Sequence, residues 1–401
     1  MPAFEPFRGI RYDTRSLDPT LVTSPPYDVI SPNDRESLVD GSAFNVTRID
    51  LPVPDPAQPS ADPYRLAAAL LTTWRQDGIL VTDEVPAFTV HRMSSVDEDG
   101  VAHHTTGVVG ALRLSAPGEG EILCHEYTTP KAKSDRLDLL GATDANLSAV
   151  WGLSPAAGLT DLLQLTEEPT LEFSADGVTH AVWVVTDPSR ISAIRAAIEP
   201  HPIVIADGHH RYETSLAHRD RIRADSGEGT AAEFVMCFVV ELSETQLSVG
   251  PIHRLVTGLG FGVDLIATLE TFFEIEPFAA PATGVIHALE QAGSLALILP
   301  DAEFLLRPRP EMFTTTRDLD SSRLDHALAS LTGIDVAYQH GVENIRSAVD
   351  SGAVDFGVLL RPVTVAQIID IAEGGERMPP KSTFFFPKPP TGIVLRSLLD
   401  N

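Results

Sequence analysis

Cysteine is scarce in this chain: only Cys124 and Cys237 occur among 401 residues, and both lie in apolar runs. Two isolated thiols exclude a disulfide framework and a CxxC metal site, and a reducing cytoplasm is the simplest compartment for them. Basic charge is also short, with 29 Lys and Arg against 56 Asp and Glu and a formal net charge of −27. A protein that coats nucleic acid or an anionic membrane needs an extended basic face to displace counterions, so neither partner is expected. Long hydrophobic runs are missing as well. The longest, residues 234–240, is too short to cross a bilayer, and the opening MPAFEPFRGIRYD has no apolar core of a signal peptide and no cleavage pattern. A soluble, cytoplasmic protein is the expectation. There is no internal repeat at a fixed period, and the only biased tract of note is a Pro-rich linker at 52–63.

What is there has ordinary soluble composition, 43% hydrophobic and 21% charged. A chain of this length buries roughly three quarters of its unfolded surface, so two domains or one elaborated domain are natural. The stretch that organises it is HPIVIADGHHRYETSLAHRD, from His201 to Asp220. Ile203, Val204, Ile205 and Ala206 read as a buried strand, Asp207-Gly208 as a turn, and Tyr212, Leu216 and Ala217 recur at helical spacing. Strand, tight turn and helix N-terminus together suit an anion, because the first helical turn leaves N–H groups unpaired and carries partial positive charge. Gly208 removes the Cβ that would hold a ligand off the backbone, and Arg211 offers a planar fork to phosphate oxygens. Asp207 can hold a metal ion, a ribose hydroxyl or a substrate proton. The same pattern also suits a plain junction, with Asp207 as N-cap and His209 and His210 solvated.

Elsewhere, Pro25 and Pro26 stiffen the backbone before Tyr27 and Asp28, and Ser31 is placed to cap a helix through residues 34–38. Residues 45–49 alternate as a short strand should. A helix over 64–77 puts Leu66, Ala67, Leu70, Leu71 and Trp74 on one face and closes at Gly78. Period-two segments at 88–93 and 106–112, joined through the polar turn at 97–100, predict an antiparallel hairpin. His125 and Glu126 do not form a zinc-protease helix, since Thr129 stands where HExxH needs its second histidine; they join Lys131, Asp135 and Arg136 in a dense polar cluster that also suits a solvated helix entry. A strand at 180–187 and a helix at 191–198 lead into the strand, turn and helix of 203–220, a local α/β unit whose ligands bind where strand ends meet helix starts, and 234–242 is the next buried strand. His253-Arg254 falls at a strand end, where such pairs are normally exposed.

A second α/β portion follows, with helices near 265–273, 284–292 and 322–331 and strands at 295–299 and 356–360. In the tail, Lys381, Ser382, Thr383 and Lys388 lie on a proline-stiffened backbone suited to phosphate contacts, or equally to packing three aromatics on the core. The expected division is a 1–260 α/β region with the phosphate-binding loop, a second α/β portion over 261–370, and a 371–401 tail folding back on the site.

Pro25-Pro26-Tyr27-Asp28-Val29-Ile30, His125-Glu126, Ala206-Asp207-Gly208-His209-His210-Arg211-Tyr212, His253-Arg254 and Met378-Pro379-Pro380-Lys381-Ser382-Thr383 resemble, in this order, the bacterial and archaeal family called domain of unknown function 1015. The Asp-Gly-His-His-Arg run alone is similar to the Asp-Gly-x-His-Arg loop of the ParB and sulfiredoxin-like superfamily. Members of that superfamily bind nucleotide phosphates there and include a kinase of free serine, a sulfinic acid reductase and CTP-dependent partitioning proteins. His209 stands where sulfiredoxin's cysteine would be, which argues against reductase chemistry, and the acidic balance argues against partitioning.

The resemblance implies a mixed α/β fold with a ParB/sulfiredoxin-like nucleotide-binding core elaborated by a second α/β portion. It also implies a kinase-like phosphotransferase acting on a small hydroxyl-bearing metabolite such as serine, with ATP or ADP and Mg²⁺ as cofactors and a phosphorylated small molecule as partner. In that reading Asp28, Glu126, Asp207, His209 and His210 are catalytic. Gly208, Arg211, His253, Arg254, Lys381, Ser382, Thr383 and Lys388 bind the cofactor, and Tyr27, His125 and Arg136 bind the substrate. A non-catalytic nucleotide or phosphometabolite sensor and a metal-dependent phosphatase or hydrolase built on His125, His209, His210 and His253 are the alternatives.

Overall fold

The computed structural model describes residues 2–54, 60–96, 102–116, 118–119, 121–124, 130–281, 284–374, 378–379 and 381–399. The turn expected at 97–100 and the middle of the 52–63 linker lie outside these. The chain divides into two compact units, Met1–Ser248 with Pro387–Asn401, and Val249–Phe386.

A nine-stranded mixed sheet builds the first unit. Its strands lie in the order Ile122–Cys124, Ile203–Asp207, Val150–Ser154, Phe234–Glu241, Ala102–Arg113, Phe88–Val96, Val178–Val185 and Leu171–Ala175, with Phe4–Glu5 pairing to Ala102–Arg113 as well. Two pairs are parallel, Ile203–Asp207 on Ile122–Cys124 and Phe234–Glu241 on Val150–Ser154. The expected hairpin is present, with Thr89 opposite Val109 and Met93 opposite Thr105. Alternation decides which face each residue joins: Ile203, Ile205, Val235, Cys237 and Val239 point into one core with Tyr212 of the helix His209–Ser226. Helix and strand are thereby fastened side by side at their shared Asp207-Gly208 corner.

A smaller sheet orders Leu80–Thr82, Gly9–Tyr12, Leu395–Ser397 and Ala145–Asn146. Against it packs the helix Pro63–Gln76, which buries Ala67, Leu71 and Trp74 with Ile10 and Leu395. Leu66, expected on that face, is 37% exposed, since it sits about 100° around the helix from Ala67. Ser31 caps the helix Pro32–Gly41 through a reciprocal capping box with Asp34. Residues 45–49 are not the strand their alternation suggests. Asn45 Nδ2 donates to the carbonyls of Leu21 (2.9 Å) and Thr23 (3.0 Å), its Oδ1 accepts from Thr47 N (2.9 Å), and the chain turns at once into the short helix Thr47–Asp50. A local side-chain bond to the backbone has outweighed β alternation.

The second unit is a six-stranded, wholly antiparallel sheet ordered Phe273–Pro277, Ala302–Pro308, Leu295–Leu299, Phe356–Leu359, His253–Thr257, Asp335–Gln339. Leu295 and Leu297 face a core shared with Leu265, Leu269 and Leu324, whereas Ala296 and Ile298 face one shared with Val285, Leu289, Ile345 and Val349. Helices therefore cover both faces, and the near-continuous apolar run of residues 295–299 follows from that. His253-Arg254 does not end an exposed strand. It opens a strand paired on both sides, and the residues are 1% and 0% exposed. Among the described residues, no helix is long and apolar enough to cross a membrane.

Candidate functional site

The strand Ile203–Asp207 is antiparallel to Val150–Ser154, and their register shifts between Ile205 and Asp207, which turns the Asp207 end of the strand. Gly208 follows at φ 86° and ψ 28°, the left-handed conformation that starts the 18-residue helix His209–Ser226. Its carbonyl accepts from Tyr212 N at 2.9 Å, the first bond of the helix. A Cβ at this position would lie 2.8 Å from Arg211 Nε and would push that guanidinium aside, while the left-handed backbone itself favours glycine.

Absence of that Cβ lets Arg211 fold back along the first turn. Its Nη2 donates to Asp207 Oδ2 at 2.5 Å, and its Nη1 donates to the carbonyl of Ala149. Lys388 Nζ donates to the other carboxylate oxygen, Asp207 Oδ1. One carboxylate thus lies between two cations at a helix start. All three side chains are largely withdrawn from solvent, at 17% for Asp207 and 12% each for Arg211 and Lys388. Burial works against the Arg211 charge, but Asp207, then Asp28, Tyr27 and Asp50, overcome it and hold its pKa above the ordinary arginine value.

A second ion pair stands beside the first. Arg136 Nη1 donates to the Asp50 carbonyl at 2.6 Å and approaches Asp50 Oδ1 at 3.4 Å, while its Nη2 meets Asp135 at 2.7 Å. The Arg136 guanidinium lies over the Tyr27 ring, 4.2 Å from its centroid, a cation–π contact. Tyr27 and Asp28 form the one-turn helix Tyr27–Val29 after Pro26. Burial, opposed by Arg211 and Arg136, pushes the Tyr27 hydroxyl up to about 12, so it is a neutral donor at physiological pH. Burial also raises the Asp50 pKa, against the pull of Arg136 and Arg211. Asp50, Arg136, Arg211, Thr214, Ser215 and Asn146 line a cavity of about 50 Å³, which suits ordered water rather than a nucleotide.

Of the residues singled out in sequence, Tyr27, Asp28, Arg136, Asp207, Gly208, Arg211 and Lys388 are brought together in the first unit by these contacts and mutual fields. His209 is buried at the first helical position and His210 is half-buried beside it. His125 and Glu126 lie outside the described residues. His253, Arg254, Lys381, Ser382 and Thr383 belong to the second unit. There His253 Nδ1 accepts from Leu360 N at 3.1 Å, and Arg254 Nη1 donates to the carbonyls of Ile252 (2.8 Å) and Lys381 (3.1 Å) while its guanidinium lies over Tyr338. Ser382 is buried, with its hydroxyl donating to Pro379 O at 2.8 Å, and Thr383 is 9% exposed. Asp135, part of the polar cluster read in sequence, pairs with its neighbour Arg136, whereas Asp50 lies 86 residues away from Arg136 and has no local sequence signal. Among the described residues, no group of three or more His, Cys, Asp or Glu is placed to hold a metal ion.

Fold and site together define a two-unit α/β protein whose larger sheet ends in a strand, glycine and helix junction crowded with paired charges. The chain belongs to the family described as Protein of unknown function (DUF1015), whose profile matches residues 4–326. Among solved structures it is similar to a conserved hypothetical protein from Pyrococcus furiosus, at 14% identity, covering 69% of this chain and 92% of that one with a TM-score of 0.37. It is also similar to a free serine kinase in complex with AMP, at 13% identity, 68% and 88% coverage and a TM-score of 0.38. A third similar structure is a C-terminally truncated SbnI from Staphylococcus aureus, at 13% identity, 72% and 87% coverage and a TM-score of 0.41. No curated protein matches.

Proposed function

We propose that this protein is a nucleotide-dependent phosphotransferase acting on a small hydroxyl-bearing metabolite, with serine the first acceptor to test. The observation that carries the reading is the set of three cations, Lys388, Arg211 and Arg136, interleaved with three carboxylates, Asp207, Asp28 and Asp50, around a helix N-terminus with a left-handed glycine. Phosphoryl transfer needs positioning and charge neutralisation more than covalent chemistry from the protein, and it needs both signs: cations for phosphate oxygens, carboxylates for a proton and for Mg²⁺. A junction of the ParB and sulfiredoxin-like type would place phosphate on the backbone of residues 208–210.

In this reading Arg211 and Lys388 turn from Asp207 toward phosphate oxygens, and the released carboxylate becomes available. The acceptor oxygen attacks the terminal phosphorus, the bond to the bridging oxygen breaks, and the nucleotide leaves with that electron pair. Asp28 or Asp207, or Glu126, takes the hydroxyl proton. Tyr27, neutral and held by Arg136, orients the acceptor. Mg²⁺ bound to one or two carboxylates and the phosphates would neutralise developing charge, which is the usual way this ion is held.

Incubation of the full chain with ATP or ADP, Mg²⁺ and a panel of small alcohols and hydroxy amino acids, followed by mass spectrometry, tests the chemistry. A phosphorylated acceptor, lost in Asp28→Asn or Asp207→Asn, is expected. Nucleotide that binds but stays intact with every acceptor would leave a sensor in place of an enzyme.

A further inference from the structure

Arg396 is a buried arginine of this acidic chain that meets no carboxylate among the described residues. Arg136, Arg211 and Arg219 each meet a carboxylate. Arg396, 5% exposed in the strand Leu395–Ser397, donates to oxygens that carry no full charge: Phe234 O at 2.9 Å, Ala231 O at 2.8 Å and Asn146 Oδ1 at 3.3 Å. Burial alone lowers its pKa, to about 10, with no acidic neighbour to oppose the loss. A buried guanidinium with no counter-charge is costly, and proteins normally pair it.

The same residue lines a cavity of about 270 Å³ in the first unit. Pro6, Phe7, Pro86, Ala111 and Phe234 supply an apolar wall. Glu5, the one carboxylate among the described lining residues, is engaged by Arg195 at 2.7 Å. Thr230 is also in the wall, and its buried hydroxyl has no hydrogen-bond partner among the described residues. Arg396 Nη1 donates to Asn146 and Phe234, and Nη2 to Ala231; Nε has no acceptor among the described residues. The Nε edge of a guanidinium, with the remaining Nη2 hydrogen, is one of the forks that matches a carboxylate.

We infer that this cavity is a binding site for a small monocarboxylate with a compact apolar body, its carboxylate on Arg396 and its apolar part against Phe7, Pro86 and Phe234. The volume sits near the small end of ligand pockets, roughly 300 Å³ and upward, which excludes a nucleotide and admits a ligand the size of phenylacetate. Asn146, which accepts from Arg396, lines the small cavity beside Arg136 and Arg211.

Titration of the full chain with phenylacetate, followed by calorimetry and ligand-observed NMR without nucleotide, tests the site independently of phosphotransfer. Saturable binding is expected, weaker by about tenfold or more for the uncharged isostere 2-phenylethanol, because the buried cation would stay unpaired. Arg396→Gln should abolish the preference for the acid. Thr230→Phe, at a partly exposed position, should block both ligands by filling the cavity while leaving Arg396 and the fold in place. Equal binding of acid and alcohol, no binding of either, or an unchanged acid preference in a folded Arg396→Gln variant overturns the inference.

Discussion

At Gly208 a side chain would meet both a positive φ of 86° and Arg211 Nε at 2.8 Å. Gly208→Ala should therefore cost about 1–2 kcal/mol in urea denaturation from the left-handed backbone, and should displace the Arg211 guanidinium from Asp207. Arg211→Ala should lose a comparable amount, since it removes one of the cations on Asp207; Arg211→Lys keeps the charge but loses the fork that reaches Ala149 and Asp207 together. These residues were legible in sequence because turn, glycine and arginine lie within five positions and each type has a local reason to be there. The Lys388 contact with Asp207 spans 181 residues, and only a proline-stiffened phosphate-suited tail hinted at it. Asp50 has no such hint: its meaning comes from Arg136 and Arg211, and the segment just before it, 45–49, reads as a strand.

Elements built from repeated alternation were read well, and those decided by one side chain were not. The strand Ile203–Asp207, the helix His209–Ser226 and the hairpin of Phe88–Val96 and Ala102–Arg113 follow from apolar periodicity. The turn into Thr47–Asp50 rests instead on Asn45, which is 1% exposed and makes three bonds to backbone groups. Asn45→Ala should cost about 2–4 kcal/mol, as two buried backbone groups and one part-buried one lose partners, and should displace Asp50 from Arg136. Chemical denaturation measures the first effect; a weakened cation–π contact, visible in Tyr27 fluorescence or NMR, reports the second. His253-Arg254 was misplaced for a different reason: polar type suggests exposure, yet a strand with neighbours on both sides has no exposed edge. Burial there comes from sheet order, which no local pattern encodes.

Among the described residues burial lowers the pKa of four histidines, His91, His180, His218 and His253, and most strongly at His91, His180 and His253. His180 is pulled down to about 4, His253 likewise to about 4 by burial and then by Arg254 and His340, and His91 falls well below its ordinary value through burial and His180. His91 Nε2 and His180 Nδ1 lie 3.1 Å apart, which requires one ring to accept and so to stay unprotonated there. The unfolded chain binds these protons near pH 6.5 and the folded chain does not. Stability is thus fully present above about pH 6.5 and falls as pH drops toward 4, by up to about 1.4 kcal/mol per pH unit for each such histidine. Denaturation midpoints from pH 8 to 4.5 check this, and His180→Phe should flatten the slope. Family membership and the mixed α/β class were visible in the motifs and periodicities of the sequence, and the family profile and the structure bear them out.

The central claim is that the junction around Asp207, Gly208 and Arg211 holds nucleotide phosphate. Calorimetric titration of the full chain with ATP and ADP, with and without Mg²⁺, tests it most directly. The account predicts binding that weakens about tenfold to a hundredfold in Arg211→Ala and in Lys388→Ala, the loss of one charge-assisted contact each. No nucleotide binding, or binding of wild-type strength in a folded Arg211→Ala variant, would contradict it.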